Sequence, residues 1–191
     1  MDLAARRFAE QGYHGTSVGE IVQGLGVGKG VFYWYFSSKE ELFEEILREA
    51  QNDLREAQRD AIRPESDAFA RIEAGIRSSM RWLAEHKHLF SLIQQAATES
   101  RFQEVLRESH ARSVSDLSRH VRDGIEQGVI RDEDPEVLTN AVLGVIHALN
   151  RTFLLQGTDA EQLLNVTIGF CLAGLRGPAT AAPVATSRAT G

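Results

Sequence analysis

Apolar residues recur along this chain with the 3.6-residue period of amphipathic helices, and no stretch carries a strand-like alternation worth defending. The pattern is sharpest near the N-terminus. Ser17 and Glu20 stand at the spacing of a capping box, and Val18, Ile21, Val22 and Leu25 follow at helical intervals, predicting a short helix. Leu25-Gly26-Val27 is the break. Gly26 tolerates the positive φ that a tight turn needs, and Val27 is placed to plug the space between two helices. A second short helix then carries Lys29, Tyr33, Trp34 and Tyr35, more aromatic surface than a helix of this size holds without a partner.

From Lys39 onward the periodicity continues to the end of the helical region. Leu42, Phe43, Ile46, Leu47 and Ala50 place a long fourth helix from Lys39 to about Ile62. Arg63-Pro64-Glu65-Ser66-Asp67 interrupts it, with Ser66 or Asp67 as the next cap. Phe69, Ile72, Ile76, Met80 and Leu83 share one face of a fifth helix, and a short sixth surrounds Leu89, Phe90, Leu92 and Ile93. A long helix is expected from about Arg101 to Gln127. Asp134-Pro135 opens an eighth to about Gln156, and Asp159 caps a ninth through Leu175. The eighth is apolar on nearly all sides (Val142, Leu143, Val145, Ile146, Leu149, Phe153), so one face packs at home and the other calls for a partner. Gly169, Ala173 and Gly174 permit close helix approach in the ninth. The tail from Gly177 is rich in small residues and is expected to be disordered. The fold class is therefore all-α, in three parts: residues 1–48, residues 49–176 and the tail 177–191.

Composition narrows the function. The single Cys171 excludes an intramolecular disulfide and fits a reducing compartment. No apolar run approaches the roughly 18 residues of a membrane span, and no signal peptide opens the chain, so a cytoplasmic protein without membrane association is expected. The formal net charge of −6 opposes nucleic-acid binding until its distribution is considered. Residues 16–39 hold one acid, Glu20, against Lys29 and Lys39, whereas residues 40–60 hold eight acids against three arginines. Screening over roughly 8 Å at physiological salt separates the two regions electrically. No Ser/His/Asp arrangement, phosphate loop or spaced metal ligands appear, so neither an enzyme nor a cofactor is expected; His86-Lys87-His88 fails as a metal site because i and i+2 diverge on a helix.

The run Phe8-Ala9-Glu10-Gln11-Gly12-Tyr13, then Thr16-Ser17-Val18, then Gly26 to Phe36 (GVGKGVFYWYF) and Ser38-Lys39-Glu40, resembles the DNA-binding domain of the TetR family of bacterial transcriptional regulators. The likeness covers about residues 1–48. It departs where the family usually carries hydroxyls, at Gly28 and Val31, and it starts at Met1-Asp2-Leu3, near the middle of the family's first helix: either the start is assigned late or this member lacks the family's basic arm. The resemblance implies a homodimer, paired through its last two helices as a four-helix bundle, on a palindromic operator in double-stranded DNA. Half-sites one turn apart would lie about 34–36 Å from each other. It also implies a repressor released by a small-molecule effector. On this reading Lys29 meets a base edge, Tyr33 a base or phosphate, and Ser17, Tyr35 and Lys39 the phosphates, with Gly30 and Trp34 on the same face.

Effector contacts are sought among polar or aromatic residues on apolar faces: Trp82, His86, Phe90, Phe102, His110, His147, Asn150 and Arg151. His147, Asn150 and Arg151 stand at i, i+3 and i+4, and Arg151 could accept an anionic group. Each is equally open to a bland reading, as a satisfied core group or a dimer contact. The alternative for the whole chain is a helical small-molecule or lipid carrier, or an interaction protein, with a degenerate helix-turn-helix. Such a protein would give only weak, salt-labile gel shifts.

Overall fold

The computed structural model describes residues 1–176, apart from the side chain of Leu155, so the tail from Gly177 lies outside the described residues. Nine α-helices occupy the described residues: α1 Asp2–Gly15, α2 Val18–Leu25, α3 Lys29–Tyr35, α4 Lys39–Ile62, α5 Ala68–Glu85, α6 Lys87–Ala96, α7 Gln103–Glu126, α8 Pro135–Phe153 and α9 Ala160–Arg176. Single 3-10 turns join α6 to α7 and α8 to α9.

The helix ends follow local chemistry. Ser17, Ser38, Asp67 and Asp134 each cap the following helix by accepting a backbone N–H, and Pro135 takes the first turn of α8, where a missing N–H costs nothing. Asp159 does the same for α9 by accepting from the Gln162 amide at 2.7 Å. One bend is not apparent from periodicity. Gly12 takes φ 80° and ψ 162°, kinking the end of α1 so that Tyr13 turns inward.

Two cores result. The first joins Ala4, Ala5, Phe8 and Tyr13 of α1, Ile21 and Val22 of α2, Phe32 of α3, and Leu42, Phe43, Ile46 and Leu47 of α4. It also recruits Leu92 and Ala96 of α6, Phe102 and Val105. The second fills the body between α5, α8 and α9, with Ile72, Ile76, Met80, Trp82, Val142, Ile146, Leu164 and Ile168 among its members. A division at residue 48 therefore cuts through α4, and the head's core is completed by residues from the body. Cys171 is buried in the second core, and burial pushes its thiol up to about 11, which leaves it a small apolar filler at neutral pH.

Candidate nucleic-acid interface

The turn from α2 to α3 is built from both ends. The Ser17 hydroxyl accepts from the Glu20 amide at 3.2 Å, while the Glu20 carboxylate accepts from the Ser17 amide at 2.8 Å and from its hydroxyl at 2.7 Å. Those hydrogen bonds hold the Glu20 carboxyl below its ordinary range. Gly26 closes α2 in the left-handed region, φ 67° and ψ 27°, and the Val27 amide returns to the Val22 carbonyl at 3.0 Å. Val27 is a correction: it is exposed beyond the turn and does not plug it, Ile21 and Phe32 filling that space.

α3 is anchored by one residue. Phe32 is buried against the first core and Phe36 is half-buried, whereas Tyr33, Trp34 and Tyr35 are 57%, 77% and 64% exposed. Trp34 and Tyr35 meet edge to face at 4.5 Å, so they brace each other outside the fold. Lys29 joins this surface from its N-terminal side. A Cβ at Gly19 would lie 3.8 Å from Lys29 Cε and 3.7 Å from Ser17 Oγ, which puts Lys29 and Ser17 on one edge of the helix pair. Lys29, Gly30, Tyr33, Trp34 and Tyr35 thus share an accessible surface, and Ser17 borders it.

Lys39 is placed otherwise than its sequence position suggested. Its ammonium donates to the Tyr13 carbonyl at 2.7 Å and the Thr16 carbonyl at 2.8 Å, and it lies 4.3 Å from the centre of the Tyr13 ring. Burial depresses its pKa, and its contacts with two carbonyls and a π face make it a clamp between α1 and α4. At most one ammonium hydrogen remains for a phosphate. The N-terminus of α4 carries Glu40 and Glu41 in its first turn, and Glu41 accepts from the Ser37 amide and hydroxyl.

The effector candidates do not converge. Trp82 is buried but lines a groove of about 410 Å³ between α4 and α5, with Ala57, Ala61, Ala74, Arg77 and Arg81. His86 stacks on its indole at 4.4 Å and holds the Trp82 carbonyl through Nδ1 at 2.8 Å. Phe90 is a member of the second core. Phe102 belongs to the first core, fully buried and stacked on Phe43 with ring centres 4.5 Å apart. That is a correction: it links head to body and does not line the groove beside Trp82. His110 and His147 lie side by side at the surface between α7 and α8, ring centres 6.2 Å apart, with His110 Nε2 at 3.2 Å from Asn140 Oδ1. Asn150 is fully buried, its amide donating to the Ile146 carbonyl at 2.9 Å and its Oδ1 without a partner among the described residues, while Arg151 is exposed. The shared face expected of His147, Asn150 and Arg151 is therefore split, because position 150 follows Ile146 into the core.

Periodicity alone missed the contact between the α6–α7 turn and the head. His14 Nε2 pairs with Glu99 at 2.8 Å, Arg101 lies 5.3 Å from the Tyr13 ring centre, and Tyr13 meets Phe102 edge to face at 5.1 Å. The cluster Thr98 to Phe102, charged around one aromatic, was its only trace in the sequence. Among the described residues no group of three or more metal-ligating side chains forms, and no helix is long and apolar enough to cross a membrane.

Comparison with known proteins agrees with this geometry. Residues 1–46 match the model of bacterial regulatory proteins of the tetR family, and residues 65–175 match that of the tetracyclin repressor-like C-terminal domain. The HTH-type transcriptional repressor KstR2 of Mycobacterium tuberculosis (strain ATCC 25618 / H37Rv) is 30% identical over 138 residues, 70% of this chain and 68% of the relative. The crystal structure of the TetR family transcriptional regulator PfmR from Thermus thermophilus superposes with a TM-score of 0.76 at 29% identity, covering 91% of this chain and 97% of that one. FadR of Bacillus subtilis, solved in complex with stearoyl-CoA, shares the fold with a TM-score of 0.83 at 22% identity, over 91% of this chain and 96% of its own.

Proposed function

The chain belongs to the TetR family of DNA-binding transcriptional regulators, and from that premise we propose that it is a homodimeric repressor released from a palindromic operator by a small-molecule effector. One observation carries the DNA-binding part: three consecutive aromatics stand outside the fold on a helix whose only buried anchor is Phe32. Tyrosine and tryptophan left in water at that density fit a surface that a duplex covers. Lys29 supplies the charge for a base edge or phosphate, and Ser17 borders the same face.

The outer faces of α8 and α9 support dimerisation. Val137, Val166 and Phe170 are exposed there together with Ala141, Gly144, Ala148, Gly169, Ala173 and Gly174. Among the described residues, a Cβ at Gly144, Gly169 or Gly174 would meet nothing within 4 Å, so a second pair of helices could approach closely. Two heads read two half-sites, which one helix of seven residues cannot do.

For the effector, the groove beside Trp82 is the favoured entrance. The alanines of α4 and α5 leave it open, Arg77 and Arg81 stand on its rim, and the indole closes its floor. A ligand there would press on α4, which runs on into the head, and a coupling of roughly 1–3 kcal/mol would alter operator affinity about 5–150-fold. The test is fluorescence anisotropy with a duplex selected by the protein from a randomised pool. Lys29→Ala and Tyr33→Ala are each expected to weaken binding at least about ten-fold, as for lost base or phosphate contacts, while circular dichroism stays unchanged. Two folded variants that bind like the parent would remove α3 from the interface and revive the carrier reading.

A further inference from the structure

α3 presents a reading face without the forked side chains that read base edges by paired hydrogen bonds. Phe32 points into the core, so at about 100° per residue Gly30 and Trp34 lie opposite it, flanked by Val31 and Tyr33. Val31 is 47% exposed on a helix, a setting that β-branched side chains do not favour. Gly30 weakens the helix relative to alanine, yet its φ is not positive and no neighbouring atom stands within 4 Å of a Cβ there. Neither strain nor crowding among the described residues accounts for that glycine.

From Gly26 to Phe36 there is no Arg, Asn, Gln, Asp or Glu, the side chains that read purine or cytosine edges by paired hydrogen bonds; Lys29 is the one charged group. The remaining feature of the major groove that an apolar side chain can read is the C5 methyl of thymine. We propose that Val31 packs on a thymine C5 methyl in each half-site, with Gly30 leaving room for the base edge to approach the helix. The assignment rests on the DNA-binding reading of α3, and it makes Val31 a specificity-determining residue. It selects T·A over C·G, because cytosine lacks the methyl.

The experiment replaces thymine by deoxyuracil in the selected duplex, one symmetric pair of positions at a time. This removes the methyl and leaves every hydrogen-bonding group in place. At one pair of positions the full-length protein is expected to lose about four-fold in affinity per methyl, roughly fifteen-fold for the pair, the worth of one buried carbon each. In Val31→Ala that thymine-to-uracil ratio should fall towards unity, whereas a purely structural effect would weaken both duplexes alike and preserve the ratio. Val31→Thr, which keeps one methyl, should retain part of it. Gly30→Ala should raise the melting temperature and yet weaken the selected duplex; unchanged affinity there would remove Gly30 from the contact. Uracil tolerated at every position, or a ratio unchanged in Val31→Ala, would overturn the assignment while DNA binding stood. Failure to select any duplex would overturn both.

Discussion

Phe102→Ala is expected to destabilise the protein by about 3–5 kcal/mol, the range for truncating a fully buried phenylalanine. Phe102 has no exposed surface, stacks on Phe43 and meets Tyr13 edge to face. Its removal would leave a void bounded by α1, α4 and the turn into α7, and those rings cannot close it without moving helices. The loss has a second consequence. Phe102 enters the head's core from the body, so its deletion loosens the junction as well as the core. Urea unfolding should show the midpoint falling, with the head becoming the less protected part in amide exchange. A loss below about 1 kcal/mol would mean that the junction is not packed as described. Unchanged operator affinity in a destabilised but folded variant would show that the head holds its geometry without this link.

Phe170→Asp is expected to convert the proposed dimer to a monomer with little effect on the fold of each chain. Phe170 is 66% exposed on α9 near exposed Val166, so within one chain it contributes almost nothing, and an exposed substitution there should stay within about 0.5 kcal/mol. In a packed four-helix interface the same position would be buried, and a carboxylate there would meet its symmetry mate in an apolar setting. Sedimentation or light scattering reads the assembly state directly. Operator affinity should fall about 10²–10⁴-fold, because the second head no longer binds at the effective concentration that linkage provides. A variant that remained dimeric would place the interface elsewhere.

The element plan was legible because it is local. Capping residues such as Ser17, Asp67 and Asp134 act within four residues of themselves, and each stands where the helix begins. The exposed aromatics of α3 were legible for the same reason: in a seven-residue helix only one face can be buried, and Phe32 takes it. Phe102, Asn150 and Lys39 were not. An aromatic at helical spacing reads the same whether it faces a ligand or a neighbouring core.

Phe102 meets Tyr13 from the turn that precedes α7, and Lys39 reaches carbonyls 26 and 23 residues away. Such contacts depend on how helices are rotated and set against each other, which is a property of the packed whole. By itself the sequence determined an all-α chain, the starts of its capped helices at Ser17, Lys39, Asp134 and Asp159, and a short turn presenting lysine and aromatic side chains, whereas α7 begins at Gln103 after a 3-10 turn where a helix from about Arg101 was expected. Only the tertiary structure decided that the head borrows part of its core from the body, that Lys39 serves as a clamp, and that the eight polar and aromatic candidates scatter. Hydrogen bonds that begin a helix are satisfied within one turn, whereas the partner of a buried side chain is chosen by whichever distant surface closes over it.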